Sequence, residues 1–224
     1  LNPGETVLIP QAFELESSEL LEDGQNVILK LDATAAGLDH SRDISILSMA
    51  PDIDLDDYYI DNEMNILEPG QTEDLRLTLT NWGSNASENT TVELTCQHEG
   101  ITINTPQPYS VGSIDSWGTT EFNISLSASQ TLLHGEKADF ELSISSDNGM
   151  LTQESFTLRI GRTPVYVIDL DMSVASGLGI YNLLQDMGVE SEYTSSFPSY
   201  INNYQSVFIC TGKLFTSYTL TYQQ

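Results

Sequence analysis

Positive charge is what this sequence has least of. Seven Lys and Arg stand against 33 Asp and Glu, a formal net charge of -26. Such a surface repels phosphate backbones and anionic lipid headgroups, which excludes nucleic acid and membrane surfaces as partners and leaves cations as natural small ones. The acidic residues are spread along the chain among apolar ones, the pattern of a folded, solvated surface rather than an acidic tail. Cysteine is nearly missing: Cys96 and Cys210 are the two present. They fall in segments read below as different domains, so no disulfide between them is expected. His40, His98 and His134 stand apart, no Cys/His metal spacing exists, and each is expected as a surface residue. Long apolar runs are missing as well, and Val165–Leu170 is far too short to cross a bilayer. Residue 1 is Leu and no signal-peptide pattern precedes it, so localisation must come from the kind of domain present. The chain is expected to be an excerpt of a larger protein, cut at both ends.

What is present is a series of short strands. A hydrophobic content of 39% is enough to build cores. Leu75–Thr80 alternates, with Leu75, Leu77 and Leu79 on one face, and so do Val92–Thr95, Phe122–Leu126, Phe140–Ile144 and Phe156–Ile160. Turn clusters separate them: Glu68-Pro69-Gly70, Asn81-Trp82-Gly83-Ser84-Asn85 and Ser146-Asp147-Asn148-Gly149. This spacing predicts an antiparallel sandwich in which one face of each strand is buried. No stretch before residue 172 has sustained helical periodicity, and Ser17–Leu21 is at most a turn.

The pattern repeats within the chain. Leu20-Leu21-Glu22-Asp23-Gly24, followed by Val27, Leu29, Leu31 and Ala33, matches Leu132-Leu133-His134-Gly135, followed by Ala138, Phe140, Leu142 and Ile144. Both copies then turn and finish on a strand, Ile44–Ser48 and Phe156–Ile160. A repeat of strand patterns in fixed order indicates tandem modules. Residues 1–50 are therefore expected to be the C-terminal half of one sandwich and residues 51–161 a complete second one. A half sandwich exposes its inner face and needs partner strands.

After Gly161 the pattern changes. Val165–Leu170 is apolar except for Asp169, as in a strand buried on both faces of a parallel sheet. Val174, Leu178, Tyr181, Leu184 and Met187 follow at helical spacing, with Gly188 as the stop. Val189–Thr194 and Ser206–Cys210 read as two further strands. Residues 162–224 are thus expected to open an α/β domain.

Three segments carry a resemblance. Leu67-Glu68-Pro69-Gly70-Gln71-Thr72, with the alternation of Leu75 to Leu79 running into Asn81-Trp82-Gly83, resembles the opening of CARDB-like, immunoglobulin-like modules. Leu1-Asn2-Pro3-Gly4-Glu5-Thr6-Val7 resembles a later turn of the same modules. The Val165–Leu170 run, the helix after it and Tyr204-Gln205-Ser206-Val207-Phe208-Ile209 resemble flavodoxin-like or amidotransferase-like segments. Gln71 stands where that pattern has Glu, and Trp82 where it has Thr. This domain order is similar to large secreted proteins of Bacteroidetes-type bacteria, including gingipain-like cysteine peptidases exported by the type IX system. The resemblance implies an extracellular or cell-surface location and, as partners, other domains of the same protein together with protein or glycan ligands. It implies a spacer or adhesion region, with an accessory region of a secreted gingipain-like cysteine peptidase as the alternative.

The candidate chemistry is sparse. Asp52-Ile53-Asp54-Leu55-Asp56-Asp57-Tyr58-Tyr59-Ile60-Asp61-Asn62-Glu63 is the candidate cation site, because Ca²⁺ takes six to eight oxygen ligands, usually with several carboxylates in one loop. Asp57 stands where an EF-hand loop needs Gly, and no helices flank the stretch, so that motif is rejected. A looser Ca²⁺ clip of Asp52, Asp54, Asp56, Asp57, Asp61 and Glu68 is one alternative. A plain acidic linker with Ile53, Leu55 and Ile60 toward the core is the other. No cofactor beyond Ca²⁺ is expected, and no catalytic set is assembled. Cys210 lacks the glycine-flanked elbow of a strained nucleophile and reads as a structural cysteine. Asp169 and Asp171 either bind a metal or cap the helix that follows, and capping is the simpler account. Ser176-Gly177-Leu178-Gly179 has neither the glycine order nor the lysine of a phosphate loop. Trp82 and Trp117 lie in turns and are expected to pack over a sandwich end.

Overall fold

A computed structural model describes residues 4–16, 18, 21–35, 37–149, 151–171 and 176–212. Leu1, Asn2 and Pro3 of the first turn motif, Leu20 of the repeat and Val174 of the helical stripe lie outside the described residues. The first elements are β1 (Asn26–Ala35) and β2 (Leu38–Leu47), which pair as an antiparallel hairpin. Eight strands follow: β3 (Ile53–Ile60), β4 (Thr72–Asn81), β5 (Thr90–Cys96), β6 (Ile101–Ile103), β7 (Tyr109–Gly112), β8 (Thr119–Ala128), β9 (Lys137–Ser145) and β10 (Thr152–Arg159). They form two four-stranded antiparallel sheets, one in the order β3-β4-β8-β6 and the other β10-β9-β5-β7.

Two-residue periodicity explains the core. Along β9, Ala138, Phe140, Leu142 and Ile144 are buried while their neighbours are not. Leu75, Leu77 and Leu79 of β4 and Ile124 and Leu126 of β8 face them from the other sheet, all at 0% exposure. Phe140 stacks on Phe156 at 5.2 Å between ring centroids, and Tyr58 closes over Phe156 at 4.4 Å. The result is a mostly β, antiparallel sandwich spanning β3 to β10.

The acidic stretch is a strand of this sandwich and not a linker. Ile53 and Ile60 are buried and Leu55 packs against the core. Leu55 pairs with Leu79 and Asp57 with Thr78, so Asp56 is the extra residue of a β-bulge. The bulge resets the alternation, which lets Ile60 return to the core face although it lies an odd number of residues after Leu55.

The repeat is visible in hydrogen bonds. In the first copy Gly24 N–H donates to Ser48 C=O (3.1 Å) and Ser48 N–H donates to Gln25 C=O (2.9 Å). In the second, Gly135 N–H donates to Ile160 C=O (2.9 Å) and Ile160 N–H donates to Glu136 C=O (2.7 Å). The hairpin β1–β2 therefore corresponds to β9–β10.

The last elements are β11 (Thr163–Asp169), α1 (Ser176–Asp186), β12 (Ser191–Thr194) and β13 (Tyr204–Cys210). The strands form a parallel sheet in the order β12-β11-β13. Val165 to Asp169 are buried, as the apolar run predicts, because α1 and the flanking strands cover β11. The helix is less covered than its stripe suggests. Tyr181 and Leu184 are half-buried, with Tyr181 against Tyr193 at 5.6 Å, but Leu178 and Met187 are exposed.

Candidate functional site at the junction of the two units

The six carboxylates of the expected Ca²⁺ clip are not drawn into one place. Asp54, Asp56 and Asp57 lie along β3. Asp61 is bound by Arg76, whose guanidinium donates to Asp61 Oδ2 at 2.8 Å and also reaches the Tyr59 hydroxyl at 3.3 Å. Glu68 is engaged elsewhere, by Arg162. Burial, and then the charge of Asp52, pushes the Asp54 carboxyl above its usual range. Among the described residues no three Asp, Glu, His or Cys side chains are grouped as metal ligands would be.

Polar side chains converge instead where the sandwich meets the parallel sheet. There is almost no linker: Ile160 forms a bridge with Leu67, Gly161 N–H donates to Leu67 C=O at 2.7 Å, and β11 begins at Thr163. Arg162 Nε donates to Glu68 Oε1 at 2.8 Å. The other oxygen, Glu68 Oε2, lies 3.3 Å from His134 Nδ1. His134 Nδ1 in turn accepts the Arg162 backbone N–H at 3.1 Å. Gly161 is required here, because a Cβ would come within 2.3 Å of His134 Nδ1 and its φ is +66°. His134 is therefore part of a cluster and not an isolated surface residue.

A second cluster lies on the same boundary. Arg159 donates to Glu190 Oε1 at 2.7 Å and to Thr163 Oγ1 at 2.9 Å, and Lys137 Nζ lies 3.7 Å from Glu190. Tyr204 on β13 donates to Glu192 at 2.6 Å, and burial together with that carboxylate pushes its phenol far up. A cavity of about 310 Å³ runs between the units, lined in part by Tyr59, Ile66, Arg159, Glu192 and Tyr204. Lys137, Arg159 and Arg162 are three of only seven basic residues in the chain.

The preceding junction has the same construction. Ala50 N–H donates to Asp23 Oδ1 at 2.9 Å, just as Arg162 N–H donates to His134. Asp23 and His134 occupy the same position of the repeated turn. Asp23 also accepts from the Ser84 hydroxyl at 2.5 Å, and that bond, then the Ala50 N–H, holds its carboxyl below the usual range. Gly83 fits against this strap: a Cβ there would lie 2.2 Å from Ala50 O. Trp82 and Trp117 meet edge to face at 6.5 Å and both stay exposed.

At the carboxyl end of β11, Asp169 caps α1, accepting from Gly177 N–H at 2.9 Å and Leu178 N–H at 3.3 Å. The two cysteines are free thiols in different sheets. Burial pushes both upward, and Asp169 adds to this for Cys210. Both shifts favour the protonated thiol, the form that is not nucleophilic.

The sequence pattern did not reveal the Glu68–Arg162 contact, which joins residues 94 apart. The signal that was present is the gathering of scarce cations around residues 137–162.

No protein-family model matches the chain, and a search of curated proteins finds no match. Among solved structures, the chain is similar to α2-macroglobulin of Escherichia coli in its native conformation, with 15% identity and a TM-score of 0.39 over 64% of this chain and 8% of that one. The trypsin-activated form from the same organism gives 17% identity and a TM-score of 0.39 over 59% of this chain. The chain spans 8% and 9% of the length of these two structures. It is also similar to a CARDB domain from Pyrococcus furiosus solved with di-metal ions, with 11% identity and a TM-score of 0.33 over 50% of this chain and 89% of that one.

Proposed function

We propose that this chain is a non-catalytic spacer and interaction region of a large secreted or cell-surface bacterial protein, built from immunoglobulin-like, CARDB-like modules followed by the start of a flavodoxin-like unit. One observation carries the reading: three of seven basic residues fasten the sandwich to the next unit across a junction with almost no linker. Cations so placed serve to hold one unit at a set position against the next. The acidic outer surface keeps such an array soluble and self-repelling.

The test is to treat intact producing cells with an impermeant protease and to follow this region by antibody. Digestion of the region while a cytoplasmic marker survives supports the reading. Protection in intact cells with release only on lysis refutes it. The alternative, an accessory region of a gingipain-like peptidase, is addressed by assaying the parent protein with Cys210→Ala. The raised thiol predicts unchanged peptidase activity, and a loss beyond tenfold would bring Cys210 into the chemistry.

A further inference from the structure

The hairpin β1–β2 and the sheet strands β9–β10 are the same structure under different cover. Their registers coincide: Leu29 pairs with Ile44 and Val27 with Ile46, as Phe140 pairs with Phe156 and Ala138 with Leu158. Phe140 and Leu142 are at 0% exposure, Phe156 at 6% and Leu158 at 8%. At the corresponding positions Leu31 is 38% exposed, Ile44 42% and Ile46 40%. The apolar face has been kept, and among the described residues no strand covers it.

The segment ahead of the hairpin extends the match. Phe13 and Leu15 precede β1 as Ile124 and Leu126 of β8 precede β9, at the offset that relates β1 to β9. Ile124 and Leu126 point into the sandwich from the opposite sheet. Phe13 and Leu15 likewise line one wall of a groove of about 620 Å³, with Leu29, Leu31, Ile44 and Ile46 on the other. The groove is thus the interior of a sandwich seen from its open side. In the complete copy, that side is closed by β4, which pairs with β8, and by β5, which pairs antiparallel with β9.

We propose that this groove is closed by a pair of apolar strands of the same polypeptide, equivalents of β4 and β5, one of which adds antiparallel to the free edge of β1. The complete copy supplies the register. Leu94 lies opposite Leu142 and Val92 opposite Ile144, so the incoming strand sets apolar residues opposite Leu31 and Ala33.

The experiment compares residues 1–224 with the full parent protein. In the 1–224 chain, the dye ANS binds the open face and β1 amides exchange far faster than those of β9. Leu31→Asp or Ile44→Lys removes most of the ANS fluorescence. Ile28→Lys, on the opposite face of β1, leaves it intact. The fluorescence of Trp82 and Trp117 confirms that the complete sandwich stays folded in each variant. In the parent protein, ANS binding at this face is lost and β1 amides are slowed by about two orders of magnitude. The proposal is overturned if β1 exchanges equally fast in the parent. It is overturned in favour of self-association if the 1–224 chain forms dimers that Ile44→Lys dissociates. It is also overturned if the 1–224 chain binds no ANS and protects β1 as well as β9.

Discussion

Leu142→Ala and Leu31→Ala are the same substitution at the same position of the repeat, and the structure assigns them very different costs. Leu142 is at 0% exposure between Ile144, Phe140 and the facing sheet. Truncating it removes the transfer free energy of the lost atoms and leaves a closed void, together about 3 kcal/mol within the usual range of roughly 2–5 kcal/mol. For a domain of this size that is about 10 °C in Tm. Leu31 is 38% exposed and borders an open groove, so no void is enclosed and only part of the transfer term is lost, about 1 kcal/mol. The assay is urea unfolding followed by tryptophan fluorescence. Trp82 and Trp117 are the two tryptophans of the chain, and both belong to the complete sandwich. Leu142→Ala should lower the midpoint strongly with an unchanged slope, while Leu31→Ala should leave the tryptophan transition in place. Equal shifts for the two variants, or a Leu142→Ala cost below about 1 kcal/mol, would refute the assignment of cover to one copy and not the other.

Four further outcomes are expected. Asp23→Asn or Ser84→Ala should loosen the strap between the hairpin and the sandwich, read as faster amide exchange at Ala50. Because the Asp23 carboxyl is held below its usual range, its contribution is present above about pH 4 and is lost as pH falls through its folded value. Asp54 is shifted the opposite way, so its charge costs stability above its folded value and Asp54→Asn should raise Tm at neutral pH, measured by calorimetry. Millimolar Ca²⁺ should shift Tm no more than Mg²⁺ at equal ionic strength, since Asp61 and Glu68 already face Arg76 and Arg162; a specific, chelator-reversible rise would restore the clip. Arg162→Ala removes a half-exposed ion pair, so the tryptophan transition should move by less than about 1 kcal/mol, while protease cutting at residues 160–163 rises several-fold.

The sandwich strands were legible because their burial is one-sided. Leu75, Leu77 and Leu79, or Ala138, Phe140, Leu142 and Ile144, leave a period of two that only a half-buried strand produces. The change of architecture at β11 was legible for the converse reason, a continuous apolar run needing cover on both faces. Three things were hidden. The bulge at Asp56 shifts the phase of β3 midway, so an acidic strand resembled a linker. The strands β6 and β7 are too short to show a period. The junction clusters depend on residues far apart in the chain, Glu68 with Arg162 and Asp23 with Ser84, and no local pattern encodes a contact of that kind. Adjacent acids in sequence likewise say nothing about the arginines that reach two of them, Asp61 and Glu68.

The route of the chain through the sandwich has a mechanical consequence. Pro51 and Asp52 lie beside Thr152 and Gln153, at the start of both β3 and β10, and the chain leaves at Ile160, which bridges to Leu67 at the far end. The two points of attachment are therefore at opposite poles, separated by the length of β10, about 26 Å for its eight residues. Tension between neighbouring units runs parallel to the strands, so the backbone bonds of β3 to β4 and of β9 to β10 are strained in shear together and not opened one after another. A sandwich connected in this way resists pulling far better than its equilibrium stability alone suggests.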